Sequence, residues 1–234
     1  MIKYTNYLSP FHHEFNNLAP GTVLSAIDLG MEVIIDCHPD FHIPSHIRSL
    51  RGLTIRPRKI EDYSSVTTNF TIPRFLELPA LLREHGDVLL TDFDTVLRCV
   101  PPKENRLVFW NNSNFDEDPR CNLSTWEGEG HRIMANHVSM VGKVGLAFAE
   151  AVVETIHEMP RRDRDRWYSD QVALWRAWAN KGPWPDIHHQ PNAYFGLEFK
   201  DRPGVPLTHP RTHQEKHGGP WVEYTREYQD RWHR

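Results

Sequence analysis

The segment Val88-Leu89-Leu90-Thr91-Asp92-Phe93-Asp94-Thr95-Val96-Leu97 constrains this chain more than any other. An apolar run ends in two carboxylates one residue apart and then resumes. Side chains of an extended strand alternate faces, so Asp92 and Asp94 are expected on the same side. Two neighbouring carboxylates repel each other and lose hydration on burial unless a cation lies between them. The pattern therefore predicts a divalent-metal site at the C-terminal end of a strand, the edge at which open α/β sheets bind ligands. Oxygen donors of this kind suit Mg²⁺ or Mn²⁺, which commonly bridge to substrate phosphates. The competing reading is a solvated turn after an edge strand. The apolar residues on both sides, with no Gly or Pro among them, argue against it.

The rest of the chain alternates between helix and strand signals. Residues 3–8 read as a first strand. Phe11 to Leu29 reads as helix broken at Pro20-Gly21, with a second helix from Thr22 stopped by Gly30. Glu32–Asp36 reads as a short buried strand and Leu53–Ile55 as another strand. Thr71 is expected to cap a helix with Pro73 in its first turn, apolar at Ile72, Phe75, Leu76, Leu81 and Leu82 and ended by Gly86. Strands follow at 107–110 and 133–138, and helices at Val141–Ile156 and Asp170–Asn180. Residues 111–130 are polar and read as a long surface loop. The last stretch, about 50 residues rich in Pro, Gly and His, lacks periodicity and reads as an irregular C-terminal wrap over the sheet edge. This order predicts one α/β domain over residues 1–234 with a mostly parallel central sheet.

Composition narrows the function. A net charge of −4 argues against a broad nucleic-acid-coating surface, leaving only a local basic patch. No run of about 18 apolar residues is present, so no membrane span is expected. The first residues lack a signal-peptide core. Three widely spaced cysteines (Cys37, Cys99, Cys121) fit a reducing compartment. The expectation is a cytoplasmic protein, in the host cytoplasm if viral. His38, His42 and His46 recur every fourth residue, but Pro39 and Pro44 interrupt any shared helical face, so zinc is not expected there. His12-His13-Glu14 and His188-His189 read as solvated, and Arg161–Arg166 as an internally paired charged turn.

Two motifs carry a family resemblance. Arg74-Phe75-Leu76-Glu77-Leu78-Pro79-Ala80-Leu81-Leu82, followed by the segment ending Asp92-Phe93-Asp94-Thr95, resembles the D-x-D region of GT-A fold glycosyltransferases. It is most similar to the glycogenin-like and galactosyltransferase-like group, family 8 in type. Trp167-Tyr168-Ser169-Asp170-Gln171-Val172-Ala173-Leu174 resembles that group's Asp-Gln at the start of a helix. Together they cover roughly residues 70–180.

The resemblance implies a GT-A-like (Rossmann-like) domain, with residues 1–110 as the nucleotide-sugar-binding half and 111–234 as the acceptor half and wrap. It implies a nucleotide-sugar donor, UDP-linked, and retention of configuration. Asp92 and Asp94 would hold Mn²⁺ or Mg²⁺ against the donor diphosphate, and Asp170 and Gln171 would lie beside the donor sugar. The alternative for Asp170 is a helix N-cap. Tyr4, Thr5 and Tyr7 lie where such enzymes receive the base and ribose, and Arg74 would meet a phosphate. His209 is the expected third metal ligand, ahead of His213, with Lys216 toward the diphosphate. Here the family's spacing is not reproduced and its glycine is missing. Met134-Ala135-Asn136-His137 stands where the family has Asn-x-Gly.

The acceptor stays open between small sugars, proteins and modified nucleobases, with Glu127, Glu129 and Asp186 as acceptor-side carboxylates. The short chain is also similar to phage-like glycosyltransferases, which brings in a hydroxymethylated DNA base as acceptor. Two rivals remain. One is a phosphohydrolase of haloacid-dehalogenase type with Asp92 as nucleophile, although that motif belongs on a first strand. The other is a non-catalytic nucleotide-sugar-binding protein. Oligomeric state is not indicated.

Overall fold

Glycines with positive φ at 30, 52, 86 and 142 stand at the ends of α-helices and β-strands built from apolar runs. This is seen in a computed structural model that describes residues 1–7, 12–37, 39, 43, 45–58, 68–100, 107–111, 133–166, 168–184, 187–191, 207–208 and 219–234. The fold is mixed α/β. By density of contacts the chain forms two units, each assembled from separated segments. One comprises residues 2–59, 91–102 and 193–234; the other comprises Met1, 60–90 and 103–192.

In the first unit, β1 (Ile2–Tyr7), β2 (Glu32–Cys37) and β3 (Leu53–Pro57) form a parallel ladder in the order β3-β2-β1. The register sets Asn6 beside Asp36, and Asp36 beside Arg56. A short helix α2 (Ser45–Arg48) precedes β3 and carries His46; His38 and His42 lie outside the described residues. Helix α1 (His12–Asp28) joins β1 to β2 and runs unbroken through Pro20, against the expected break.

Two tertiary contacts fall beside this point. The carbonyl of Asn17 accepts hydrogen bonds from Trp221 Nε1 (3.2 Å) and Gln229 Nε2 (2.8 Å). Gly21 is a point of close approach rather than a breaker: a Cβ there would lie 2.8 Å from Thr225 Cγ2 and 2.9 Å from Val96 Cγ2.

The tail is not irregular throughout. It ends in α7 (Gly219–Tyr224) and α8 (Arg226–Trp232), and α8 packs on α1. The anchors are Trp221 and Trp232, too few and too far apart to announce a helical period. Phe15 of α1 stacks on Phe93 (5.3 Å between centroids) and meets Trp232 at 6.3 Å. Burying a side chain such as Phe15 contributes about 1.5–3 kcal/mol. A two-residue antiparallel ladder joins β5 (Val96–Leu97) to β9 (Leu207–Thr208).

In the second unit the strand order is β4-β7-β6-β8, with β4 (Asp87–Thr91, its first four residues in this unit), β6 (Leu107–Asn111), β7 (Ile133–Val141) and β8 (Ile187–Pro191). β6 runs antiparallel to β7 with a register shift at Phe109/Trp110, and parallel to β8. Helices α3 (Thr68–His85), α4 (Gly142–Glu158) and α6 (Ser169–Asn180) pack on one another, and α4 and α6 also on β7; α5 (Arg161–Arg164) is a single turn.

α3 starts at Thr68 rather than at a Thr71 cap, and it contains both Pro73 and Pro79. Each interior proline costs about 3 kcal/mol. Burial of Ile72, Phe75, Leu78, Leu81 and Leu82, at about 1.5–3 kcal/mol each, outweighs that cost. Gly145 lets α4 turn tightly off β7, since a Cβ there would lie 2.7 Å from the Met140 carbonyl carbon. Among the described residues, no helix is long and apolar enough to cross a membrane.

Candidate functional site

β4 ends at Thr91, and the chain turns through Phe93 and Asp94 before β5. Asp92 and Asp94 therefore lie on a turn beyond the strand, and the expectation that strand alternation puts them on one face does not hold. Strand geometry stops because Phe93, 8% exposed, turns into the aromatic cluster around Phe15. The expected location at a strand's C-terminal end is retained. Asp94 is 5% exposed and Asp92 half-buried.

The turn is held from α1 and β1. Thr22 donates its hydroxyl to the Phe93 carbonyl, has the Thr95 carbonyl at 3.0 Å, and accepts the Thr95 N–H at 3.2 Å. One helical turn on, Ser25 Oγ accepts the Leu97 N–H at 3.0 Å. Lys3 Nζ donates to the carbonyls of Thr22 (2.8 Å) and Thr95 (3.3 Å). Burial pushes the Lys3 ammonium down to about 7, while the negative charge of Asp94 pulls it back up.

The donor set at the turn fits a hard dication. Two carboxylates contribute oxygen, and Mg²⁺-type ions are commonly held by one or two carboxylates together with substrate phosphates. The hydroxyls of Thr91 and Thr95, flanking the turn, are buried without a hydrogen-bond partner and leave polar capacity there. Among the described residues, no group of three or more His, Cys, Asp or Glu is placed to hold an ion. His209 and His213, the candidates for a third ligand, lie outside the described residues, as do Lys216, Glu127, Glu129 and Asp186.

At the other expected contacts in this unit, Tyr4 is buried and donates its hydroxyl to Asp36 Oδ2 at 2.8 Å. Burial and the neighbouring Asp36 carboxylate hold the Tyr4 phenol well above its ordinary range. Asp36 also accepts from Arg56 Nε (2.6 Å) and Nη2 (3.0 Å) and from Arg58 Nε (3.2 Å). Thr5 Oγ1 and Asn6 Nδ2 are buried without a hydrogen-bond partner. Tyr7 ends β1, and its side chain lies outside the described set.

In the second unit, Arg74 of α3 reaches Asp170 of α6: Nη2 to Oδ2 is 3.0 Å, with side chains 5% and 3% exposed. The Arg74 guanidinium also lies over the Phe75 ring at 5.4 Å. Asp170 is not the N-cap; that position belongs to Tyr168, in the left-handed region with φ 66°. A non-glycine residue held there costs on the order of 1–3 kcal/mol and persists only where its surroundings impose it. Gln171 follows in the first turn of α6, half-buried. In the Arg161–Arg166 segment, Asp163 pairs with Arg162 (3.8 Å) and Arg166 (4.0 Å), as expected for an internally paired turn.

Sequence reasoning missed Lys3, Thr22 and the Asp36 cluster. Signals existed for two of them. Val33-Ile34-Ile35-Asp36 repeats the pattern of an apolar run ending in a carboxylate, and Thr22 and Ser25 form a polar pair at helical spacing on an apolar stretch.

No protein-family model matches the sequence, and no curated protein is significantly similar to it. Solved structures match by fold. A galactosyltransferase, LgtC, in complex with donor and acceptor sugar analogs, aligns at 12% identity over 99% of this chain and 96% of its own, with a TM-score of 0.60. An active-site glutamine-to-glutamate mutant of LgtC aligns at 10% identity with the same coverage and TM-score. The glycosyltransferase GlyE of Streptococcus pneumoniae TIGR4 aligns at 12% identity over 99% of this chain and 63% of its own, with a TM-score of 0.55. The fold expected from the D-x-D and Asp-Gln motifs, that of a GT-A glycosyltransferase, is the fold observed.

Proposed function

We propose that this chain is a metal-dependent glycosyltransferase that moves a sugar from a nucleotide-sugar donor, UDP-linked, to an acceptor hydroxyl. The observation that carries this reading is the Asp92–Asp94 turn at the C-terminal end of β4, in a chain with the glycosyltransferase fold. Asp92 and Asp94 hold Mn²⁺ or Mg²⁺ through carboxylate oxygens. When bound, the cation neutralises charge on the departing nucleotide diphosphate and acts as a Lewis acid.

Asp170 and Gln171 bind the donor sugar from the first turn of α6. The Arg74 guanidinium orients the Asp170 carboxylate through its 3.0 Å bond. Thr5 and Tyr7, with the strand around Tyr4, receive the nucleoside. His209 as third ligand and Lys216 at the diphosphate rest on the motif resemblance alone. The donor and acceptor sugar analogs bound to LgtC favour a sugar-class acceptor.

The test is release of free nucleotide from a panel of nucleotide sugars with Mn²⁺, with and without acceptors that include sugars and hydroxymethylated duplex DNA. The reading expects metal-dependent release that is lost in Asp94→Ala. Phosphatase activity without sugar dependence would overturn it in favour of Asp92 as a phosphohydrolase nucleophile.

A further inference from the structure

We infer that Thr22 is the positioning residue of the carboxylate turn, locking with Lys3 the backbone on both sides of Asp94 so that the cation site is formed before a cation arrives. This rests on the assignment of Asp92 and Asp94 as metal ligands.

Thr22 belongs to α1, far along the chain from the turn it holds. Its hydroxyl engages both peptide groups that bracket Asp94, through the Phe93 carbonyl on one side and the Thr95 N–H (3.2 Å) on the other. Lys3 closes the ring from β1, donating to the Thr95 carbonyl (3.3 Å) and to Thr22's own carbonyl (2.8 Å). Lys3, Thr22 and Thr95 are all fully buried. With both flanking peptides fixed, the direction of the Asp94 Cα–Cβ bond is set. Asp92 joins this frame through Phe93, which stacks on Phe15.

The composition of the ring is informative. Burying an ammonium is costly, and well-packed apolar side chains of similar volume commonly replace buried polar groups without loss of stability. An apolar pair could hold α1 against the turn, but it would not select the orientation of two peptide groups. Hydrogen bonds to the Phe93 and Thr95 backbone do select it. A ligand set that needs no reordering retains more of its intrinsic affinity for a cation.

The experiment compares Mn²⁺ binding by calorimetry, with and without UDP, for wild type, Thr22→Val and Thr22→Ser, and follows urea unfolding of each in parallel. Valine keeps the shape and removes the hydroxyl; serine keeps the hydroxyl. The expected result is Mn²⁺ affinity weakened about tenfold in Thr22→Val, equal to about 1.4 kcal/mol, and near-wild-type affinity in Thr22→Ser. The KM for metal should rise more than kcat falls. Gly145→Ala, which forces a clash in the other unit, serves as the control for general destabilisation.

The positioning role is overturned if Thr22→Val binds Mn²⁺ as tightly as wild type, if valine and serine weaken binding equally, or if Gly145→Ala weakens it as much. If Thr22→Val does not fold, Lys3→Gln replaces it, with weakened Mn²⁺ binding supporting the ring and unchanged binding refuting it. A wild type that binds no Mn²⁺, indistinguishable from Asp94→Asn, overturns the metal assignment itself, and this inference falls with it.

Discussion

Asp94 and Asp170 are almost equally buried, at 5% and 2% exposure, yet the protein engages them differently. At Asp170 the side chain itself is bonded: its carboxylate takes the Arg74 guanidinium at 3.0 Å, inside a packed helix pair. Around Asp94, Thr22 bonds the peptide groups on either side, and Lys3 reaches the Thr95 carbonyl one peptide further on. A buried carboxylate matched to a guanidinium is partly a structural piece, because removing either partner strands a charge. A carboxylate presented by a locked backbone can be oriented as a ligand. The comparison therefore separates two kinds of expected damage: loss of chemistry at the turn and loss of stability at the pair.

The largest effect is expected for Asp94→Asn, which removes one negative ligand from the turn. Metal-dependent nucleotide release should fall on the order of 10²-fold or more. The urea midpoint should shift much less than in variants of the pair. Equal damage to both readouts would erase the distinction.

Next comes Arg74→Met, which removes the guanidinium bonded to the buried Asp170 carboxylate. Unfolding stability should drop by about 3–5 kcal/mol. The double variant Arg74→Met/Asp170→Leu should recover a large part of it. Urea denaturation of all three proteins checks this, and a single variant as stable as wild type would remove the pair's structural role.

The turn has its own stability signature, in its pH dependence. Burial lowers Lys3 from its ordinary 10.5 to about 7, so between these values the unfolded chain binds a proton that the folded chain does not. Stability should therefore rise with pH across that window, by up to about 1.4 kcal/mol per pH unit. The cost of the buried charge is fully present below about 7. Lys3→Met should lack this slope when midpoints are compared from pH 6 to 10.

The smallest effect is expected for Arg231→Met, which removes an exposed two-bond pair with Asp28 (2.6 and 2.7 Å). Its loss should cost about 0.2–1 kcal/mol and less in high salt. Comparison with Arg74→Met isolates burial as the cause, since both are Arg–Asp pairs.

Much of the fold was legible because its signals are local. β2 and the helices α4 and α6 appear within a few residues of their expected bounds. The misreadings share a cause. Pro20-Gly21 reads as a break, and Thr71 as a cap, only while the helix is considered alone. Trp221, Gln229 and Thr225 come from the far end of the chain to satisfy or press on α1, and apolar burial carries α3 through two prolines. At the site, the D-x-D and Asp-Gln motifs marked their own positions. Lys3 and Asp36 sit in strands whose local pattern does not say which buried polar group each one meets.

What the sequence by itself determined is the order of the longer strands and helices from β1 to α6, the acidic pair at the close of an apolar run, and the Asp-Gln at the opening of a helix. Periodicity and turn residues act over a handful of positions, so they survive without knowledge of the fold. Only the tertiary structure decided that Asp170 takes Arg74 as its partner, that Asp92 and Asp94 leave the strand for a turn, and that Thr22 and Lys3 hold that turn. Each depends on contacts across roughly 70 to 100 residues, with separations such as 96 for Arg74–Asp170 and 92 for Lys3–Thr95. Burial then turns such a meeting into an obligation, because a polar group without water must find a partner wherever the fold supplies one.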